Sequence, residues 1–351
     1  MYASRFRTAQ AARYQRALKC TRDELIASVP SFGLLKNLGD DSPFARYLHL
    51  YGFCELIADL SRDSKNTTQF EAGFIPCDSS VKKDECLFAV RFSQADSGQG
   101  KRRVALLSHG LFDHCGLYLT LIKTLYLQGY DVIAFDYHGY GLSSGEATHC
   151  DSFNDYLDDL MRVEKTLNSR PADVYAGQST GCAIISLMLD KRAQNMCANA
   201  SAEKKSKAVI LLAPLAYPRG LRSIRLSYFF LSPFIHWFPR TFRCNSSKLS
   251  FVEFIKSRDP LQSLAIRLSW IRALFQWRKD IEKLKPNLCN ALIFLGDKDG
   301  TIDQAAVRRC YARLYPQAVW SAVVGGGHHL VNERDELYMS IDRQIGEFLQ
   351  Q

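Results

Sequence analysis

Three short stretches of this chain carry residue types that can do covalent chemistry together. They are Gly177-Gln178-Ser179-Thr180-Gly181, Gly296-Asp297-Lys298-Asp299-Gly300-Thr301-Ile302-Asp303 and Gly325-Gly326-Gly327-His328-His329-Leu330. A serine hydroxyl is a weak nucleophile at neutral pH and needs an adjacent base. An imidazole accepts its proton, while a carboxylate fixes the imidazole tautomer and stabilises the imidazolium. Serine, aspartate and histidine therefore form a working set for attack on a carbonyl carbon. Each stretch follows a short apolar run, and in an open parallel sheet functional groups gather beyond the carboxyl ends of the strands. The glycines two before and two after Ser179 suit a sharp strand-to-helix turn, where the crowded backbone excludes larger side chains.

Within the second stretch three aspartates compete. Asp299 follows the strand by a tight turn and is the expected acid. Asp303, close to the next helix, reads as its N-terminal cap, and Asp297 as a turn former. In the third stretch His328 comes first after the glycines and is the expected base; His329 faces another way. Charge developing on an attacked carbonyl oxygen needs two preorganised backbone N–H groups. The expected donors are Thr180, directly after the serine, and Leu111, in the loop Ser108-His109-Gly110-Leu111-Phe112-Asp113-His114. His109 and His114 stand five apart without matching carboxylate or cysteine spacing, so no metal site is expected, and no motif calls for a cofactor.

The elements that must position these residues follow from periodicity. Residues 1–65 read as a helical extension, with helices over Ala9–Ala27 and Pro43–Leu60 separated by a segment ending in Gly39-Asp40-Asp41-Ser42. Phe70–Ile75 and Cys86–Phe92 read as strands. A parallel-sheet rhythm follows: strand Val104–Ser108, helix Tyr118–Gln128, strand Asp131–Phe135, helix Phe153–Leu167, strand Asp173–Ala176, a helix after Ser179 and strand Ala208–Ala213. The rhythm stops at Pro214 and resumes with strand Ala291–Leu295, helix Gln304–Leu314, strand Val319–Val324 and helix Glu333–Leu349. The sequence thus predicts a core over 66–214 and 290–351, interrupted by a mostly helical cap, without continuous strands, over 215–289.

Composition bounds the function. The 351 residues are 47% hydrophobic and 23% charged, which is ample material for a core. Eleven cysteines are scattered with no CxxC pair, which argues against a zinc or redox motif and for a reducing, cytoplasmic compartment. No apolar run long enough for a membrane span is expected, nor a secretory leader. The net charge of +9 is regional: residues 215–289 alone hold 14 Lys/Arg against 4 Asp/Glu. The same segment interleaves Tyr228, Phe229, Phe230, Phe234, Trp237 and Phe238 with Arg219, Arg222, Arg225 and Arg240. This pattern suits an apolar acyl site with a basic rim and peripheral contact with a membrane surface. No nucleic-acid-binding motif accompanies the charge, so no nucleic-acid partner is expected.

Taken together, the motifs resemble the α/β-hydrolase superfamily, in its monoacylglycerol lipase/lysophospholipase branch, which includes serine aminopeptidase-like sequences. The resemblance rests on His109-Gly110-Leu111-Phe112-Asp113-His114, on Asp136-Tyr137-His138-Gly139-Tyr140-Gly141-Leu142-Ser143-Ser144-Gly145, and on Ser152 to Leu160. It also rests on Gly296 to Asp299 and on His328-His329-Leu330-Val331-Asn332-Glu333. It covers roughly residues 85–350 and not the N-terminal extension. It implies the α/β-hydrolase fold, a mostly parallel sheet flanked by helices with an inserted helical cap. It further implies Ser179 as nucleophile, Asp299 as acid, His328 as base and Leu111 and Thr180 as oxyanion donors, acting on a small-molecule ester or lipid. Many of these lipases carry His before the nucleophile and Met after it; this chain has Gln178 and Thr180. A peptidase or small-ester hydrolase, or a non-catalytic binding protein on the same scaffold, are the other readings.

Overall fold

Strands buried on both faces must read as continuous apolar runs, and Tyr130–Phe135, with every residue buried, is such a run. The computed structural model describes residues 2–35, 41–63, 68–75, 86–94, 102–168, 170–198 and 208–351. Its strands are β1 Gly33–Leu34, β2 Thr68–Ile75, β3 Leu87–Gln94, β4 Arg103–Ser108, β5 Tyr130–Phe135, β6 Val174–Gln178, β7 Ala208–Leu212, β8 Trp237–Pro239, β9 Ala265–Arg267, β10 Asn290–Gly296 and β11 Val319–Val323. Nine of them form one sheet in the order β1-β2-β3-β5-β4-β6-β7-β10-β11. From β5 to β11 all neighbours run parallel, and β1, β2 and β3 add an antiparallel edge. The protein has the α/β-hydrolase architecture, with helices on the faces of a mostly parallel sheet.

Helix Phe153–Leu167 shows how sequence sets these crossovers. Ser152 and Asp155 close a capping box at its start, and Phe153, Tyr156, Leu157, Leu160 and Val163 recur at helical spacing on its buried face. The N-terminal region departs from the expected two helices. The first breaks at Lys19, which takes φ +53, and restarts as Arg22–Ser28 behind a Thr21/Glu24 capping box. The second breaks at Gly52 (φ +84), a left-handed cap between Pro43–Tyr51 and Phe53–Asp63. Gly39 and Asp40 of the expected turn lie outside the described residues. These helices pack on the sheet edge through rings: Tyr47 meets Phe88 edge-on at 5.7 Å, and Phe53 stacks on Phe92 at 6.4 Å.

Between the neighbouring strands β7 and β10 the chain makes its long excursion. This segment holds helices Leu221–Leu231, Leu249–Glu253 and Leu268–Ile281, a π-helical turn at Phe254–Arg258, and one feature not expected from sequence: the two-stranded ribbon β8–β9. At three residues per strand, alternation is too short to register as a period. Among the described residues no helix is long and apolar enough to cross a membrane. The nine cysteines whose side chains the structure describes are all free.

Candidate active site

β6 runs straight into helix Thr180–Ala198, and Ser179 sits on the turn between them with φ +54. For a non-glycine residue that left-handed backbone costs about 1–2 kcal/mol, so the surroundings must impose it. They do: Ser179 N–H donates to the Leu212 carbonyl (3.0 Å), and its carbonyl accepts from Cys182 and Leu215 (both 3.1 Å). The turn also requires Gly181, because a Cβ there would lie 2.1 Å from the Ser108 carbonyl oxygen. Gln178 closes the arrangement from the other side, its Oε1 accepting from Val331 N–H at 3.2 Å.

The structure brings Ser179, His328 and Asp299 together from three strand ends. Ser179 Oγ is 2.9 Å from His328 Nε2, and His328 Nδ1 is 2.7 Å from Asp299 Oδ2. All three are less than a tenth exposed, at 8%, 7% and 3%. A carboxylate only accepts, so Nδ1 carries the proton and Nε2 is left to accept from the serine hydroxyl. Asp299 Oδ1 in turn accepts from Thr301 N–H (2.7 Å) and Ile302 N–H (3.2 Å). Burial alone would raise the pKa of this carboxyl, but the His328 ring and these two amides outweigh it and hold it below the usual value. The other aspartates have separate work: Asp303 caps helix Gln304–Leu314 through Ala306 N–H, and Asp297 accepts from Gly325 N–H.

Thr180 directly follows this serine, and Gly110, the neighbour of Leu111, lies close to it: a Cβ on Gly110 would be 3.4 Å from Ser179 Cβ. Thr180 opens the helix that follows Ser179, and its hydroxyl is buried without a hydrogen-bond partner among the described residues. Leu111 lies in the turn closed by Asp113 N–H donating to the Gly110 carbonyl (3.2 Å), beside Gly110, whose N–H is held by Tyr118 Oη at 3.0 Å. The other histidines of these two loops are bonded structurally. His109 Nδ1 donates to the Gly110 carbonyl (2.8 Å), and its Nε2 accepts from Tyr137 N–H (3.1 Å). His114 pairs with Asp259, and His329 with Asp113 at 3.1 Å, so His329 turns away from Ser179. Among the described residues no group of three or more His, Cys, Asp or Glu is placed to hold a metal ion.

The family model described as Serine aminopeptidase, S33 (Hydrolase_4) matches residues 99–335, more than half of the chain. This chain belongs to that family. A probable lysophospholipase L2 of Haemophilus influenzae is 21% identical over 71% of this chain and 84% of its own. An abhydrolase domain-containing protein of Dictyostelium discoideum is 33% identical over 85 residues, 24% of this chain, and the match spans 9% of that relative's length. Among solved structures, a soluble variant of Saccharomyces cerevisiae monoglyceride lipase in complex with a substrate analog superposes with a TM-score of 0.63 at 18% identity, over 80% of this chain and 95% of that one.

In this α/β-hydrolase each loop of the site is also bonded to the excursion between β7 and β10. Arg219 N–H donates to the Thr301 carbonyl and Asp303 N–H to Tyr217, both at 2.8 Å, which ties down the acid loop. The Asn245 carbonyl accepts from both His328 and His329 N–H at 2.8 Å, and Glu333 joins Gly327 N–H (2.6 Å) to Ser247 N–H (2.7 Å), which ties down the histidine loop. Gln262 Nε2 donates to the Phe112 carbonyl at 2.9 Å, which ties down the loop of Leu111. In the sequence Asp113 and Glu333 stand out only as letters of motifs, and Asn245 and Gln262 carry no signal. Nothing in composition or spacing marks a carbonyl or amide that acts through a contact 80 to 150 residues away.

Proposed function

We propose that this hydrolase cleaves carboxylic esters of lipids, of the monoacylglycerol or lysophospholipid type, through Ser179, His328 and Asp299. The single observation that carries the reading is the unbroken relay of 2.9 and 2.7 Å from Ser179 Oγ to the Asp299 carboxylate. In the first half-reaction His328 Nε2 takes the Ser179 proton as Oγ bonds to the ester carbonyl carbon. The oxyanion that forms is met by the Leu111 and Thr180 amides, and the imidazolium by Asp299. Collapse expels the alcohol, which leaves with the proton from His328. Water, deprotonated by the same imidazole, then releases the acid from Ser179. No cofactor enters the scheme.

The substrate class is supported by two of the similar proteins, a monoglyceride lipase and a probable lysophospholipase. It is also supported by helix Leu221–Leu231, which has no buried residue and presents Leu226, Phe229 and Phe230 to solvent, with Phe234 just beyond. With Arg219, Arg222 and Arg225 beside them, these residues suit an anionic lipid surface, and the absence of disulfides among the described cysteines suits a cytoplasmic setting. The family's description favours a second reading, release of N-terminal residues from peptides. Wild type and Ser179→Ala are tested in parallel on monoacylglycerols, lysophospholipids, short p-nitrophenyl esters and aminoacyl amides. Ser179-dependent turnover that rises with acyl-chain length supports the lipid reading. Turnover of the amides alone favours the peptidase, and turnover equal in both proteins overturns Ser179 as nucleophile.

A further inference from the structure

Phe112 occupies a backbone conformation its side chain disfavours. Its φ is +68, and it stands third in the four-residue turn closed by Asp113 N–H donating to the Gly110 carbonyl. A positive φ at that place calls for glycine, so a bulky aromatic persists only where its neighbours determine the backbone. Leu111 is the second residue of the same turn, and the direction of its N–H is set by how the turn is held.

What holds the turn comes from the excursion. The Phe112–Asp113 peptide is pinned at both ends, its N–H by Gly110 and its carbonyl by Gln262 Nε2 at 2.9 Å. Gln262 is 1% exposed, and its polar atoms have few alternatives. Nε2 also donates to Asp259 Oδ2 at 3.0 Å, while Oε1 accepts from Arg240, whose guanidinium lies 3.9 Å over the Phe112 ring. Asp259, fully buried, accepts in addition from Tyr51 Oη, Leu261 N–H (2.8 Å) and His114 Nε2 (3.2 Å). Tyr51 belongs to the N-terminal helices, and Arg13 from the first of them donates to the Asp259 and Lys256 carbonyls. A chain of bonds thus runs from residues that the family match leaves out, through Asp259 and Gln262, to the carbonyl one residue beyond Leu111.

We infer that Gln262 is a positioning residue for the Leu111 oxyanion amide, and that the N-terminal helices hold it in place through Tyr51 and Asp259. The inference rests on the proposed ester hydrolysis and on Leu111 as a donor to its oxyanion. A residue acting this way changes the stability of the tetrahedral intermediate more than the binding of substrate.

The test uses Gln262→Met, similar in length but without donors, in the full chain. The readouts are kcat, KM, melting temperature and the affinity of a trifluoromethyl ketone, which forms a hemiketal oxyanion on an active serine. We expect kcat to fall about 10- to 100-fold, below the loss from removing a whole oxyanion donor, with KM changed less than about threefold and ketone affinity falling in step with kcat. Adding Phe112→Gly supplies a residue that adopts the turn without help. The double variant is expected to turn over within about threefold of Phe112→Gly alone. A merely structural role for Gln262 would not be repaired by a further glycine. The inference is overturned if Gln262→Met keeps wild-type kcat and ketone affinity, or if the loss persists unchanged in the Phe112→Gly background. A wild type that neither turns over esters nor binds the ketone would overturn the hydrolase reading itself.

Discussion

Asp299→Asn tests the proposed role of Asp299 in making His328 a base. Asp299 Oδ1 accepts two backbone N–H groups, from Thr301 and Ile302, whereas among the described residues Oδ2 faces only His328 Nδ1 at 2.7 Å. An asparagine must therefore keep its carbonyl oxygen toward the two amides and turn its NH2 to the ring, because the opposite orientation sets donors against donors. His328 Nδ1 then accepts, its proton moves to Nε2, and Nε2 faces Ser179 Oγ as a donor with no lone pair to take the serine proton. A wrong tautomer in an intact triad lowers kcat by about 10⁴-fold, which corresponds to about 5.4 kcal/mol of barrier. KM should stay within about threefold of wild type, since no substrate-binding group is removed. The assay is steady-state hydrolysis of a p-nitrophenyl ester at neutral pH, with the melting temperature recorded to show a folded variant. A kcat within tenfold of wild type would refute Asp299 as the group that orients the base.

Three further predictions follow from the same geometry. Gly181→Ala places a Cβ 2.1 Å from the Ser108 carbonyl and should cost more than about 2 kcal/mol, read as a melting temperature lower by about 3 °C or more; an unshifted melting curve would show that the turn relaxes freely. Replacing Phe229, Phe230 and Phe234, which are 73%, 61% and 81% exposed, with serine should weaken binding to anionic phospholipid vesicles more than about tenfold while a short soluble ester is cleaved within about twofold of wild type. Equal vesicle binding would remove the membrane-facing role of this patch. Asp113, Asp259 and Asp299 are each buried yet held below their ordinary 3.8, by His329, His114 and His328 and by further donors. As pH falls the unfolded chain takes up protons at these sites first. The stability they contribute is therefore present above about pH 4 and lost below it as the folded values are crossed. Melting temperatures measured from pH 7 to 3 should fall steeply at the acid end, and a rise between pH 5 and 3 would contradict the assignment.

The meeting of Ser179, Asp299 and His328 was legible because they lie at strand ends, where a residue's position along the chain fixes its position in space. β6, β10 and β11 lie on one side of β4 and run parallel, so Ser179, Asp299 and His328 leave from the same edge of the sheet. Asp303 was separable from Asp299 because it stands directly before the helix it caps, Gln304–Leu314. The parts not read from sequence depend on long-range bonds or on very short elements. The β8–β9 ribbon is held by contacts across 26 to 30 residues, and the left-handed break at Lys19 is imposed on a residue with no preference for it. Gln262 and Asn245 look like any polar residues of a surface insertion. Gly52, by contrast, could have marked the break in the second N-terminal helix, since glycine followed by a fresh apolar period is a recognised stop.

The most direct test of the account is covalent. Wild-type protein is treated with a fluorophosphonate, and the adduct is mapped by peptide mass spectrometry, with and without competing monoacylglycerol. The structure predicts one adduct, on Ser179, that is slowed by the lipid, absent from Ser179→Ala and strongly reduced in Asp299→Asn. A folded wild type that takes up no label, or takes it up on another residue with Ser179 unmodified, would contradict Ser179 as the nucleophile.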